Sequence, residues 1–307
     1  MIWGNLLHLG YNMWGDWDNP RVKGNLEYWS IKPYLRFDAD VWWRITQRMA
    51  DAGLNMVVID LGEGVRYESH PELAVKGSWS VSKLRKELDR LRRLGLEPIP
   101  KLNFSTTHDA WLGPYSRCVS SPTYYAVCTD LIAEVTEIFD TPRFFHLGMD
   151  EETAAHQVNF IYVVSRQFDL WWHDLLFLVK QVEKNGPRAW VWSDDIWYHR
   201  DTFLERMPKS VVQSNWYYWD NYNRRRDHRV QAWFDFDKRG YDQIPTASIW
   251  KYDGNLRDMV RYLKPRLSAD HLLGFLQTPW KPTKRAFLKD HYRAIDLMGE
   301  LIRTVVN

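Results

Sequence analysis

"DADVWWRITQRMADAGLNMVVIDL", Asp38 to Leu61, carries two structural signals in succession. Val41, Trp42, Ile45 and Met49 recur at steps of three and four, the period of a helix that buries one face. Gly53 closes that pattern as a helix C-terminus does, and the apolar run "NMVVIDL", Asn55 to Leu61, then reads as a buried strand. The unit recurs along the chain. Further apolar runs span Asn5–Tyr11, Leu96–Leu102, Arg143–Met149, Arg188–Ser193, Ser210–Trp216, Thr246–Trp250 and Leu272–Thr278, which makes eight in all. Helical patterns follow them, the last running from Arg285 to Val306. Eight strands alternating with eight helices predict an α/β fold, a (β/α)8 TIM barrel, with residues 1–307 as a single catalytic domain. A doubly wound open sheet is the competing pattern, but no G-x-G-x-x-G follows the first run to mark a dinucleotide site.

Composition narrows the function. The 41 basic and 39 acidic residues leave a formal net charge of +2, so no polyanion is expected as partner, and the short basic run "NRRRDH", Asn223–His228, reads as a solvated loop or helix start. Cys118 and Cys128 form neither a disulfide framework nor a C-x-x-C metal motif and are expected as reduced thiols. The first residues, "MIWGNLLHLGYNMW", lack the basic start and continuous apolar stretch of a signal peptide. No run approaches the ~20 apolar residues of a membrane span, so a soluble, cytoplasmic protein is expected. The 18 Trp, 16 Tyr and 13 Phe can fill a core, but flat aromatic faces rimmed by polar atoms also stack on sugars. Trp14, Trp17, Trp43 and Trp171 are expected in the core.

In a barrel, chemistry belongs to the loops after the strands' C-terminal ends. Those positions hold Asn12, Asp16 and Asp18, then Glu63 and Arg66, then Asn103 and His108, then Asp150, Glu151 and Glu152. Later ends add Trp192, Asp194 and Asp195, then Trp216, Tyr218 and Asp220, then Tyr252 and Asp253, and finally Gln277 and Trp280. Acids and aromatics at a barrel mouth suggest glycoside hydrolysis, in which one carboxyl protonates the leaving oxygen and another stabilises the oxocarbenium-like centre. Retaining enzymes usually place two carboxyls about 5 Å apart on opposite sides of the bond. The adjacent acids of "FFHLGMDEE", Phe144–Glu152, suit a different scheme, in which the sugar's own 2-acetamido group is the nucleophile and a carboxylate orients it.

"HLGMDEE" resembles the H-x-G-G-D-E signature of family 20 β-N-acetylhexosaminidases, with Met149 at the second glycine. "GVRYESHPELAVKGSWS", Gly64–Ser80, and "IPKLNFSTTHDAWL", Ile99–Leu112, are similar to that family's segments after strands two and three. The resemblance implies that Asp150 orients the acetamido group and Glu151 is general acid and then base. It places His108 and His146 on two site histidines, and Trp192, Trp216 and Trp280 around the sugar. Tyr218 and Tyr252 compete as the tyrosine on the acetamido oxygen, and Glu152 is expected to be a bystander. No metal or cofactor is implied, and the partner is a glycan with terminal or internal β-N-acetylhexosamine. The strand-one arginine of the family has no counterpart in "LHLGYNMWGD", which offers Asn12, Trp14 and Asp16. Asp60 or Glu63 stands where the family pairs aspartates, Asn103 replaces an aspartate, and "WKPTK" lacks an acid. The resemblance covers the barrel and not the family's separate N-terminal domain. Related barrels that act on β-linked N-acetylgalactosamine share the Asp-Glu pair, so specificity for that sugar is the alternative activity. Two other classes compete: a sugar-binding barrel without catalysis, and a metal-dependent hydrolase or isomerase using His8, His108 and His146.

Overall fold

The computed structural model describes residues 1–22, 28–223 and 226–306; Arg224 and Arg225 of the basic run lie outside them. Eight parallel strands alternate with eight helices as a (β/α)8 barrel. The strands are β1 (Ile2–His8), β2 (Met56–Asp60), β3 (Glu97–Lys101), β4 (Phe144–His146), β5 (Arg188–Trp192), β6 (Val212–Ser214), β7 (Thr246–Ala247) and β8 (Gly274–Gln277). Their helices are α1 (Ala39–Asp51), α2 (Val81–Arg93), α3 (Pro122–Ile138), α4 (Phe168–Lys184), α5 (Arg200–Arg206), α6 (His228–Arg239), α7 (Asn255–Leu263) and α8 (Leu288–Val306). Neighbouring strands pair in the order β6-β5-β4-β3-β2-β1-β8-β7. The seam between β6 and β7 is bridged by Gln213 N–H to Asp242 O at 2.9 Å and Ile244 N–H to Gln213 O at 2.9 Å. Among the described residues no helix is long and apolar enough to cross a membrane.

The opening stretch forms its helix and strand for visible reasons. The Asp38 carboxylate caps α1 by accepting from the N–H groups of Asp40 and Val41, a cap worth about 1 kcal/mol. Val41, Trp42, Ile45 and Met49 are buried, each contributing roughly 1.5–3 kcal/mol. Gly53 takes φ +86°, a left-handed turn that costs glycine little, and the chain re-enters the sheet at β2. Trp42 lies in that core, whereas Trp43, expected there too, is 49% exposed.

Side chains at alternate strand positions point into the barrel, and their polarity changes along its axis. Ile2, Leu6, Met56, Val58, Ile99, Phe144, Trp190 and Val212 pack its interior. Towards the C-terminal ends the same alternation presents His8, Asp60, Lys101 and His146, all buried, with Asp60 opposite both His8 and Lys101 in register. Lys101 is fully buried in an ion pair with Asp60, and His8 Nδ1 lies 3.5 Å from the same carboxylate. Burial works against ionisation of Asp60, yet Lys101 and His8 bring its pKa down to about 2. A polar layer therefore separates the apolar barrel floor from its mouth.

Candidate active site

The loop leaving β4 is bent to bring consecutive acids to one point. Gly148, Met149 and Glu151 take φ of +71°, +75° and +55°. Gly148 has no alternative, because a Cβ there would fall 1.9 Å from Asn103 Oδ1. Met149 adopts the left-handed conformation that a glycine would adopt without strain, and its buried side chain offsets the cost. Asn103 clamps the bend: its Oδ1 accepts from the Ser105 and Met149 N–H groups at 3.0 and 3.2 Å. This orientation leaves its Nδ2 to donate to Asp150 Oδ1 at 2.9 Å. Glu151 is held through its backbone, its N–H donating to Asp194 Oδ2 at 2.9 Å and its carbonyl accepting from Thr107 Oγ1 at 2.7 Å.

His108 lies between the two acids, its Nδ1 3.3 Å from Asp150 and its Nε2 3.7 Å from Glu151. The Asp150 contact is electrostatic, since Nδ1 has no aligned hydrogen-bond partner. Burial alone would raise the pKa of Asp150, but His108, Lys101 and the Asn103 amide hold it below the usual carboxylate range. Glu151 moves the opposite way, raised by burial and by Asp150 against the pull of His108 and His156. Burial opposes charge on His108, and Asp150 and Glu151 outweigh it to raise that pKa. Asp194 is pushed well up by burial, Asp150 and Glu151. The mouth thus sets side by side a carboxyl held towards its anion, Asp150, and one that keeps its proton to higher pH than usual, Glu151.

Above them opens a cavity of about 370 Å³ lined by His108, Asp150, Glu151, Trp216, Tyr218 and Trp280, together with Trp14 and Trp29. Trp216 stacks on Tyr218 with centroids 5.1 Å apart, and Trp280 Nε1 donates to the Tyr218 hydroxyl at 3.0 Å. His146 and Trp192 lie beneath this wall. The His146 ring sits 4.3 Å from that of Trp192, and its Nδ1 accepts from the Gly148 N–H. Tyr252 does not line the cavity, and its hydroxyl donates instead to Asp258 Oδ2 at 3.3 Å. Of the two tyrosines, Tyr218 is the one at the pocket.

Other placements differ from the sequence reading. Trp14, expected in the core, faces the cavity; its position after β1 was the available signal. Trp29 lies in the same connection between β1 and α1, but too far beyond the end of β1 for strand-end position to single it out. Glu63 does not reach the acids; its carboxylate accepts from the Tyr11 and Asn12 N–H groups at 2.8 and 3.1 Å and pins the loop after β1. Ligand atoms of His108, Asp150 and Glu151 all lie within 4.8 Å of one another, so this trio is the group among the described residues that could hold a divalent cation.

Glu152 faces away into a buried ion pair. Arg166, 1% exposed, donates to Glu152 Oε2 at 2.7 Å, to the Phe104 carbonyl at 2.7 Å and to Asp174 Oδ2 at 3.2 Å. Arg166→Met is expected to cost about 3–5 kcal/mol, because it leaves two buried carboxylates without their cation. Urea denaturation followed by circular dichroism would measure the loss.

No protein-family model and no curated protein matches the chain. Solved structures do. The β-N-acetylhexosaminidase of Bacteroides fragilis NCTC 9343 superimposes with a TM-score of 0.66 at 15% identity, over 97% of this chain and 65% of that one. The family 20 β-N-acetylhexosaminidase of Streptomyces coelicolor A3(2) gives 0.65 at 12% identity, over 96% and 63%. The family 20 exo-β-N-acetylglucosaminidase of Vibrio harveyi, solved with N-acetylglucosamine, gives 0.64 at 12%, over 97% and 54%. The chain thus spans less than two thirds of the length of each of these structures. The class defined by the fold is the (β/α)8 barrel. Within that class, the barrel resembles those of family 20 β-N-acetylhexosaminidases.

Proposed function

We propose that the protein is a retaining β-N-acetylhexosaminidase working by substrate assistance. The observation that carries the reading is the geometry of Asp150 and Glu151, adjacent about His108 at the mouth of an aromatic-walled pocket, with their pKa values displaced in opposite directions. The acetamido carbonyl oxygen of the bound sugar attacks C1 while the C1–O bond breaks, and Glu151 delivers its proton to the departing oxygen. Asp150 holds the amide N–H and balances the positive charge of the oxazolinium ion that forms. Water then attacks C1, gives its proton to Glu151 and releases the amide, so configuration is retained overall. Trp216, Tyr218 and Trp280 are placed to enclose the sugar, with the Tyr218 hydroxyl available to the acetamido oxygen.

Among the described residues the pocket is lined by no arginine, and Lys251 is its lysine. With no arginine among those lining residues to grip the 3- and 4-hydroxyls bidentately, discrimination at C4 should be weak, so both N-acetylgalactosamine and N-acetylglucosamine are proposed as substrates. Nitrophenyl β-glycosides of N-acetylglucosamine, N-acetylgalactosamine and glucose test this directly. Hydrolysis of the two acetamido sugars and not of glucose is expected; equal turnover of the glucoside would rule out substrate assistance.

The field of His108 makes a second test. Its charge lowers the pKa of both Asp150 and Glu151. The acid limb of kcat/KM follows ionisation of Asp150, and the alkaline limb follows loss of the Glu151 proton. His108→Gln removes the cation, both carboxyls become harder to ionise, and both limbs should move to higher pH. A profile that keeps its limbs would show that His108 does not tune the pair.

A further inference from the structure

Two histidines face the Glu151 carboxyl, one from each side. His108 Nε2 lies 3.7 Å from Oε2 on the buried side, and His156 Nε2 lies 3.5 Å from Oε1 on the open side, so each carboxyl oxygen has its own ring. We propose that His156 is a positioning residue for Glu151, one that fixes the direction of its carboxyl and steadies the carboxylate left behind when the proton has gone to the leaving oxygen. The proposal rests on the glycosidase reading above and deepens it.

The loop after β4 folds back so that His156 returns to Glu151. Thr153 N–H donates to the Glu151 carbonyl at 2.6 Å, and His156 N–H donates to the Thr153 carbonyl at 3.2 Å. The short turn Ala154–Gln157 is anchored by its last residue, which is buried: Gln157 Nε2 donates to the Val164 carbonyl at 2.7 Å, and its Oε1 accepts from the Val164 N–H at 3.0 Å. The far nitrogen of the imidazole is held as well, with Nδ1 2.8 Å from Thr153 Oγ1. A hydroxyl can donate to a bare Nδ1 or accept from a protonated one. When it donates, the neutral ring carries its proton on Nε2; when it accepts from the imidazolium, Nε2 is protonated too. In both states an N–H faces Glu151. The order Thr153, His156, Glu151 is that of an orienting group, an imidazole and the group that reacts.

That N–H acts on one half of the acid–base cycle. Glu151 gives its proton to the departing oxygen and becomes a carboxylate, which then takes a proton from the attacking water. A donor at Oε1 favours the carboxylate between those two transfers. The groups that face Glu151 are Asp150 beside it, His108 from the loop after β3, Asp194 and Tyr198 from the loop after β5, and Tyr218 from the loop after β6. Burial and Asp150 keep the proton on Glu151, and His108 and His156 work against them. Asp150 is held down by His108, Lys101 and the Asn103 amide. His108 therefore acts on both acids, and His156 on Glu151.

The test measures kcat/KM against pH on a nitrophenyl β-N-acetylhexosaminide for wild type, His156→Phe, Thr153→Val and the double variant. Phenylalanine keeps a ring and removes both the charge and the donor. Glu151 then becomes harder to ionise, so the alkaline limb should move to higher pH while the acid limb stays, and kcat/KM at the optimum should fall by about ten-fold. Thr153→Val should give a smaller shift in the same direction, and the double variant should be no worse than His156→Phe alone, because the threonine acts through the histidine. An alkaline limb that stays in place in His156→Phe, or two losses that add in the double variant, would overturn the proposal and leave the glycosidase reading intact. Wild-type protein that does not cleave the substrate would overturn that reading, and this proposal with it. The His156 side chain is 43% exposed, and a melting curve confirms that each variant is folded.

Discussion

Glu151→Gln is expected to lower kcat/KM for a β-linked disaccharide of N-acetylhexosamine by about 100- to 10,000-fold, the range over which a positioned general acid acts. Glutamine keeps the shape of the side chain and the backbone bonds to Asp194 and Thr107 that hold residue 151 in its left-handed turn. It has no proton to transfer. The loss should depend on the leaving group: a sugar alkoxide cannot depart without a proton, whereas a nitrophenolate can. The same variant should therefore lose less on nitrophenyl glycosides, and its rate there should rise steeply as the leaving phenol becomes more acidic. Wild-type rates on the disaccharide would remove Glu151 from the mechanism.

Asp150→Asn is expected to lower turnover of acetamido substrates by about 100- to 1,000-fold, the scale of one buried electrostatic contact to a developing charge. The side chain keeps its size, and Asn103 can still donate to an amide oxygen at that position. What disappears is the negative charge facing the oxazolinium ion. A spectroscopic consequence separates this from a folding defect. Asp150 is first among the groups that oppose burial and raise the pKa of His108, so the histidine should titrate at lower pH in the variant, as followed by NMR of its ring protons. A His108 pKa that did not move would show that the pair does not interact as its 3.3 Å separation implies.

The alternation of helix and strand was legible because burial is periodic on a local scale. Trp42, Ile45 and Met49 must share a face at helical spacing, and "MVVID" must be buried on both sides, wherever the rest of the chain goes. Edges are less legible: the first apolar run starts at Asn5 by its pattern, whereas β1 begins at Ile2. Strand-end position picked out His108, Trp216, Tyr218 and Trp280, which the fold gathers at one pocket. It also picked out Tyr252, which a hydrogen bond to Asp258 holds off the pocket, and it gave Trp29 no weight. A large aromatic is more often buried than not, which puts Trp14 in the core on sequence alone, and only the path of the loop after β1 brings it to the cavity.

By itself, the amino-acid sequence determined the barrel, the end of the barrel where chemistry belongs, and the adjacent carboxylates at the end of strand four. The resemblance implied different roles for these carboxylates; only the tertiary structure supplies a physical cause for a difference between them. Asp150 and Glu151 are neighbours in sequence with nearly the same chemistry; His108 pulls both down, and what separates them is that Lys101 and the Asn103 amide add to that pull on Asp150, while burial and the charge of Asp150 push Glu151 up. Periodicity is a property of neighbouring residues and survives in one dimension. A pKa depends on burial and on charges through space, and neither exists until the chain has folded.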